Sequence, residues 1–452
     1  MTARIWAFAI YWGVWLVVPV LIDGLSALVS LVRVWMARRR KKVEDGPPVT
    51  DWPGVTIIIP VYNGQETLGG CLQSIRRQNY PPEQIEVLVV DNGSTDDTAA
   101  VFQAEQLHHF RGQMHWISIS GRGKSYAINA GLHLATFSYI CNLDADTVMH
   151  PDALREMVRQ FEANPRLGAA TGAIQVLPVP MEQQGANPLK YIIAECEFLE
   201  YLEAFWLGRQ GETITQSLFT LAGAFSFFRR RVLFDTLLYD KQTVSEDTKL
   251  TFDIRQQFGG ERIACIPESI VYVTPTPSLA ALYSQRVRWQ RGQLEVAGVN
   301  NQAANLNVFR WQGLALGRIL LVDHTFIFPR LVWTFLFPAL YFFGYPLSLV
   351  ISATIVMYLF YILLATISTA AIYVIAPPEI KARLEYNWWI VAILPLYRFL
   401  VFVFRLAGSI ITLAEPAGWS TIAPWIETIN ALRSLWSQIR FALSNRKSKI
   451  VN

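Results

Sequence analysis

The sequence predicts an α/β domain on a parallel sheet, flanked by α-helical segments apolar enough to cross a membrane. Three observations predict it. From Val55 to Leu143, short β-branched runs alternate with helical patterns, which implies parallel strands with ligand groups at their carboxyl ends. Polar clusters fall at those ends. The 452 residues are 52% hydrophobic and only 16% charged, against roughly 25% charged in a soluble chain.

The first element is a span. Residues 1–37 hold an apolar run from Ile5 to Val34, broken by Pro19, Asp23 and Gly24. It is too long for a signal-peptide core and has no small-residue cleavage site. Asp23 reads either as a polar contact inside the membrane or as a residue near the helix end. Arg38-Arg39-Arg40-Lys41-Lys42 follows at once, which places the next domain in the cytoplasm by the positive-inside rule. Residues 38–54 form a basic, proline-bearing linker.

The cytoplasmic domain is expected over 55–277. Its strands are Val55–Ile59, Glu86–Val90, Met114–Ser118 and Tyr139–Leu143, with helices over Glu66–Gln78, Ser94–Glu105 and Lys124–Thr136. Pro60-Val61-Tyr62-Asn63 ends the first strand and Asp91-Asn92-Gly93-Ser94 the second. Gly121-Arg122-Gly123-Lys124 follows the third, and Asp144-Ala145-Asp146 ends the fourth.

Each cluster has a chemistry. Asp144 and Asp146 at a strand end suit one hard divalent cation that also takes diphosphate oxygens, although an isolated Asp-x-Asp is common in turns. Lys124 after two glycines suits a phosphate at a helix start, or simple turn chemistry. Asp91 suits a base or ribose, or the opening of a turn through Asn92-Gly93. Tyr62 offers a stacking face, or packs at a strand end. Neither a P-loop nor a Gly-x-Gly-x-x-Gly spacing is present, which disfavours ATPase and dinucleotide enzymes. The net charge of +4 is too small to point to nucleic acid. Cys71, Cys141, Cys196 and Cys265 show no metal or disulfide spacing, consistent with a reducing compartment.

Two further clusters lie downstream. Val244-Ser245-Glu246-Asp247-Thr248 puts two acids at a helix mouth. In Gln285-Arg286-Val287-Arg288-Trp289, the spacing i, i+3, i+4 sets Gln285, Arg288 and Trp289 on one face. Taken alone, that helix also reads as a basic amphipathic helix on a membrane. Interface helices are expected over 278–318 and about three spans over 319–414, namely Asp323–Tyr345, Leu347–Ile375 and Trp388–Leu413. Arg398 and Arg405 in the last suit a cavity or a sugar chain; snorkelling is the other reading for Arg405. Residues 415–452 form a basic amphipathic tail. Four spans leave that tail outside, whereas Arg433, Arg440, Arg446, Lys447 and Lys449 favour the cytoplasm, so the sequence leaves the number of crossings open.

Together these motifs resemble the membrane-integrated, processive family-2 glycosyltransferases of GT-A fold: cellulose, chitin, hyaluronan and poly-N-acetylglucosamine synthases. The resemblance covers about Val55 to Val299 plus the flanking spans and implies a GT-A domain on a Rossmann-like mixed sheet. It rests on Pro-Val-Tyr-Asn with Glu66, Asp91, Gly123-Lys124, Asp144-Ala145-Asp146, Ser245-Glu246-Asp247 and Gln285-x-x-Arg288-Trp289. Ser245 departs from the usual Thr but keeps the hydroxyl. Nothing after the spans resembles a cyclic-dinucleotide sensor, so regulation of that kind is not expected.

The resemblance implies roles. Tyr62, Glu66 and Asp91 hold the uridine, and Lys124, Gln285 and Arg288 the diphosphate side. Asp144 and Asp146 hold Mg²⁺ or Mn²⁺ and the donor, with Asp146 the more direct metal ligand. Asp247 is the general base, beside Glu246. Trp289 stacks on the acceptor sugar, and Gly223, in Leu221-Ala222-Gly223-Ala224-Phe225-Ser226, lies near the acceptor terminus. The pattern Gln285-Arg-x-Arg-Trp-x-x-Gly292-x-x-Glu295-Val296 looks most like the poly-N-acetylglucosamine branch. The expected activity is therefore inverting, processive transfer from UDP-GlcNAc to a growing polysaccharide in the inner membrane. UDP-Glc is the alternative donor. About four spans leave little room for a hydrated glycan, so a small membrane subunit or a second copy is an expected partner. A non-processive transferase acting on a lipid is the rival enzyme, and a non-enzymatic membrane nucleotide-binding protein the rival of another class.

Overall fold

The computed structural model describes residues 24, 28–29, 31–32, 35–36, 51–108, 110–121, 123–180, 184–185, 187–236, 238–241, 243, 245–257, 262–303, 335, 338–414 and 425–450. The chain divides into two compact units. One comprises Met1–Lys241, Glu246–Pro275 and Ile355–Ala392; the other comprises Gln242–Ser245, Thr276–Thr354 and Ile393–Asn452.

The first unit is built on one sheet. Its elements begin with β1 (Val55–Val61), α1 (Leu68–Arg76), β2 (Ile85–Asp91), α2 (Thr98–Gln106), β3 (Gln113–Ser118), α3 (Lys124–Leu134) and β4 (Tyr139–Leu143). β5 (Val148–Met149), α4 (Ala153–Ala163), β6 (Leu167–Val176) and α5 (Pro188–Glu203) follow. A π-helical turn, Ala204–Gly208, joins α5 to α6 (Arg209–Ile214). Then come β7 (Phe225–Arg229), α7 (Arg230–Phe234), α8 (Glu246–Gln257) and β8 (Arg262–Val273).

The sheet order is β3-β2-β1-β4-β7-β6-β8-β5. β1, β2 and β4 are buried along their length apart from Pro60, as near-continuous apolar runs covered on both faces should be. Buried Glu86 in β2 is satisfied: it accepts from the Thr136 amide and hydroxyl, both at 3.0 Å, and from Thr56.

Strands β3, β2, β1 and β4 pair in parallel, as the alternation of the first 90 or so domain residues predicts. Beyond them the sheet is mixed. β7 runs antiparallel to both β4 and β6, and β5 antiparallel to β8, while β6 and β8 are parallel. The reversal has a local cause. The Ala224 carbonyl accepts from the Asp144 amide at 3.1 Å, so the chain enters β7 from the carboxyl end of β4 and must run back along it.

A polar clamp ties a later helix to this domain. Past α9 (Leu279–Ala303) lie α10 (Leu347–Ile375) and α11 (Pro378–Tyr386). Arg383 in α11 forks onto buried Glu195 of α5 at 3.0 and 2.8 Å, donates to the Val176 carbonyl, and lies 3.8 Å over the Phe198 ring. Asn387 donates to the same carboxylate at 2.8 Å and accepts from Tyr191.

The second unit holds α9 (Leu279–Ala303), most of α12 (Ile390–Ala414) and α13 (Ile426–Ile450). α9 and α12 approach closely at Gly408, where a Cβ would lie 3.0 Å from the Gln290 Cβ. Tyr283, Phe404 and Trp425 pack edge-on and tilted, with ring centroids 4.5–5.4 Å apart.

Among the described residues, α10 and α12 are long and apolar enough to cross a membrane, with mean hydropathies of 2.4 and 2.0. α10 exposes Leu347, Ile351, Ile355, Leu359, Leu363 and Ile367. That stripe is at home in hydrocarbon and costly in water. Most of the expected N-terminal span and most of Asp323–Tyr345 lie outside the described residues.

Candidate active site

The site is assembled at the carboxyl ends of β1, β2 and β4. Lys124 opens α3 directly after Gly123, whose φ of +128° is a backbone state that residues with a side chain rarely adopt. The Gly123 amide donates to Asn92 Oδ1 at 3.1 Å, which ties the turn after β3 to the turn after β2. Lys124 Nζ then lies 2.5 Å from Asp144 Oδ1, 3.8 Å from Glu246 Oε1 and 3.5 Å from the Gly223 carbonyl.

Asp247 sits next to Glu246 in the first turn of α8. Its Oδ2 accepts from the Gly223 amide at 3.1 Å and its Oδ1 from the Thr248 amide at 2.6 Å. The Gly223 segment is itself fixed from three sides. Asn142 Nδ2 donates to the Gly223 carbonyl at 3.0 Å, Thr251 Oγ1 accepts from the Leu221 amide at 3.0 Å, and Thr171 Oγ1 donates to the Phe225 carbonyl at 2.8 Å.

The charges are mutually dependent. Burial alone would pull the Lys124 ammonium down, but Asp144 and Glu246 outweigh it and hold its pKa above the ordinary lysine value. Burial pushes the Glu246 carboxyl up to about 7, with Lys124 opposing and the Asp247 charge adding. Burial also raises Asp247, against the pull of Lys124, the Thr248 amide and Arg209. Asp146 is raised by burial and by the like charge of Asp144. Lys124, with Arg209 acting on Asp247, thus serves a larger group of acids.

Nucleoside-side candidates lie at the same edge. Tyr62 is 61% exposed just past β1, and Glu66 is exposed in the turn before α1. The helix starts at Leu68, two residues later than the apolar pattern suggests. There the backbone is occupied by turn bonds: Gly64 N donates to Thr98 Oγ1 at 2.8 Å, and Gln65 N to Asp96 Oδ2 at 3.1 Å. Asp91 is buried and accepts from the Ser94 amide at 3.0 Å.

Gln285, Arg288 and Trp289 belong to the second unit. On α9 Arg288 is exposed, while Gln285 and Trp289 are half-buried. The Gln285 amide oxygen is buried and has no hydrogen-bond partner among the described residues. The buried guanidinium of this motif is Arg286, only 1% exposed. It lies 4.6 Å from the centroid of the Trp289 ring and donates to the Tyr397 hydroxyl at 3.1 Å.

Within the first unit, then, the structure brings Lys124, Asp144, Asp146, Gly223, Glu246 and Asp247 together. Gly223, expected near an acceptor end, is the hinge between Asp247 and Lys124. Sequence reading missed Asn142, Thr171, Thr251 and Arg209. The signal for Asn142 was an amide inside the apolar strand Tyr-Ile-Cys-Asn-Leu. Arg209, which follows the π-helical turn and lies 4.4 Å over the Phe205 ring, carried none.

Comparison with known proteins gives a consistent picture. Residues 56–236 match the family model described as Glycosyl transferase family 2. The poly-beta-1,6-N-acetyl-D-glucosamine synthase of Staphylococcus aureus (strain COL) is 27% identical over 251 residues, 55% of this chain and 56% of that protein. The same enzyme from Staphylococcus epidermidis is 27% identical over 245 residues, 54% and 55% of the two chains. The chain thus spans little more than half the length of the curated relatives it matches. Among solved structures, the mannosyltransferase PcManGT from Pyrobaculum calidifontis, in complex with GDP-Man and Mn²⁺, superposes with a TM-score of 0.52. It is 19% identical and covers 89% of this chain and 99% of its own. That likeness concerns the fold, and the fold is GT-A as expected.

Proposed function

We propose that this chain, whose residues 56–236 match the model of glycosyl transferase family 2, moves sugar units from a nucleotide sugar onto a growing glycan. The observation that carries the reading is the Lys124 centre. Asp144, Glu246 and Asp247 gather about one ammonium at the strand ends, with Asp146 within their field.

Transfer breaks the bond from the anomeric carbon to the diphosphate and forms one to an acceptor hydroxyl, with inversion. The acceptor must lose a proton. Asp247 takes it: two backbone amides hold the carboxylate in place, Oδ2 keeps a lone pair beside the Gly223 amide, and burial raises its proton affinity. Glu246 keeps Lys124 in register. Lys124 and, from the family motif, Arg288 face the diphosphate, and Trp289 the acceptor sugar. Tyr62, Glu66 and Asp91 bind the uridine.

The acids at the end of β4 fit a divalent cation. They are hard oxygen donors; burial first and the like charge of Asp144 second raise the Asp146 carboxyl, and a bound cation would relieve that repulsion. Asp144 and Asp146 would hold Mg²⁺ or Mn²⁺, which supplies neutralisation of the leaving diphosphate.

UDP-GlcNAc is the proposed donor and the reaction processive, because the Staphylococcus relatives are named as poly-N-acetylglucosamine synthases and the Gln285–Val296 pattern is that branch's. UDP-Glc is the second candidate. The two long apolar helices support a membrane location. The proposed cytoplasmic side of the catalytic domain rests on the basic run Arg38–Lys42, and a second copy or small subunit is the proposed partner in a glycan path.

The test is purified protein with a panel of UDP-sugars and Mg²⁺ or Mn²⁺, followed by product sizing. A ladder from UDP-GlcNAc supports the reading. Single-sugar products refute processivity, and absence of UDP release from every donor refutes transfer.

A further inference from the structure

The loop that delivers the acid pair is gripped by α9. A Cβ built on Gly292 would fall 1.9 Å from Ser245 Oγ and 2.9 Å from Ser245 Cβ, with the Ser245 amide nitrogen at 3.5 Å. The first two distances are ones that real atoms do not occupy, so only glycine admits Ser245 to this face of α9. One turn on, Glu295 accepts from the Thr243 hydroxyl at 3.4 Å, and that hydroxyl accepts from the Ser245 amide at 3.2 Å. Gly292 and Glu295 are three apart, so both lie on one helix face. Ser245 is followed directly by Glu246 and Asp247.

We infer that Gly292 and Glu295 are positioning residues: through Ser245 and Thr243 they set where α8 begins, and so where the Asp247 carboxylate stands. The inference rests on the functional reading that makes Asp247 the base. It gives a physical reason for the Gly and Glu that follow the Gln-x-x-Arg-Trp motif. Their part is the placement of a distant acid, without contact to substrate. A displacement of the order of 1 Å at a reacting group costs about 10²-fold in rate, and the Cβ contacts at Gly292 demand a shift of that size.

The experiment is a rescue. Gly292→Ala should lower kcat about 10²-fold while the UDP-GlcNAc KM stays within about twofold, since uniform donor binding is untouched. Ser245→Gly removes both crowded atoms and leaves the new methyl only the Ser245 nitrogen at an ordinary distance. The Ser245→Gly, Gly292→Ala double variant should therefore recover most of the lost kcat, a coupling that independent sites do not show. Glu295→Gln, which keeps an acceptor for Thr243, should outperform Glu295→Ala. Wild-type kcat in Gly292→Ala overturns the inference, and so does a loss that Ser245→Gly does not recover. A wild-type protein that releases no UDP from any donor overturns the functional reading instead, and this inference with it.

Discussion

Asp247→Asn separates base chemistry from architecture, and its cost can be worked from the geometry. The carboxylate accepts on both sides: Oδ1 from the Thr248 amide at 2.6 Å and hydroxyl at 3.3 Å, and Oδ2 from the Gly223 amide at 3.1 Å. Asparagine has one acceptor oxygen. With that oxygen kept on Thr248, the new NH₂ faces the Gly223 N–H, donor against donor. Leaving one buried donor unsatisfied costs about 1–3 kcal/mol, so thermal unfolding should fall by a few degrees. Loss of a general base costs about 10²–10⁴ in rate. The two effects read out separately. Turnover is followed by UDP release, donor affinity by calorimetry, and stability by thermal unfolding. The expected result is turnover down by at least about 10²-fold with donor affinity nearly unchanged and a modest loss of stability. Asp247→Asn working at more than a tenth of the wild-type rate would refute the base assignment. A collapse of donor affinity would show that Asp247 holds the nucleotide side instead.

Other consequences are open to measurement. Asp146→Ala should abolish the response of donor affinity to Mg²⁺ or Mn²⁺ while relieving the repulsion with Asp144; a titration that still responds normally to metal contradicts the ligand assignment. Trp289→Ala should shorten products more than it weakens donor binding, and equal damage to both would mark the ring as a packing partner of Arg286. Arg383→Met leaves Glu195 buried beside Asn387 without its guanidinium, which should cost about 3–5 kcal/mol; stability unchanged in denaturant unfolding would deny the clamp any weight. Glu246 adds a pH dependence. Unfolded, its carboxyl loses its proton near the ordinary value of 4.5; folded, it holds it to about 7. In that window the folded protein binds the extra proton, so stability should fall as pH rises from about 4.5 to 7. Glu246→Gln should flatten that slope, and an unchanged slope would place the titration elsewhere.

Local pattern along the chain is enough to specify half of this protein. Continuous β-branched runs with polar residues at their ends specify buried parallel strands and a ligand edge, and Tyr139–Leu143 is the strand the pattern predicts. Length and hydropathy alone single out Leu347–Ile375 as a candidate span. Asp144, Lys124 and Asp247 were legible as chemistry because each stands at an element terminus, where side chains escape the packing that fills the rest.

Which of these residues meet depends on long-range packing. Lys124 and Gly223 are 99 residues apart, and no periodicity encodes that the lysine shares its charge with Glu246 as well as Asp144. The reversal of β7 was hidden too, because a strand's direction depends on which end of the sheet the chain enters from, and both directions suit the same residues. Arg286 is the buried guanidinium of its motif, and the spacing of Gln285, Arg288 and Trp289 does not reveal it. Helical spacing gives a side chain's face but not which face is buried, and the Tyr397 hydroxyl that receives Arg286 comes from a helix remote in sequence. Gly292 is the extreme case. Its contribution is the space that a missing Cβ leaves for Ser245, and a space between two segments exists only once both have been folded against each other.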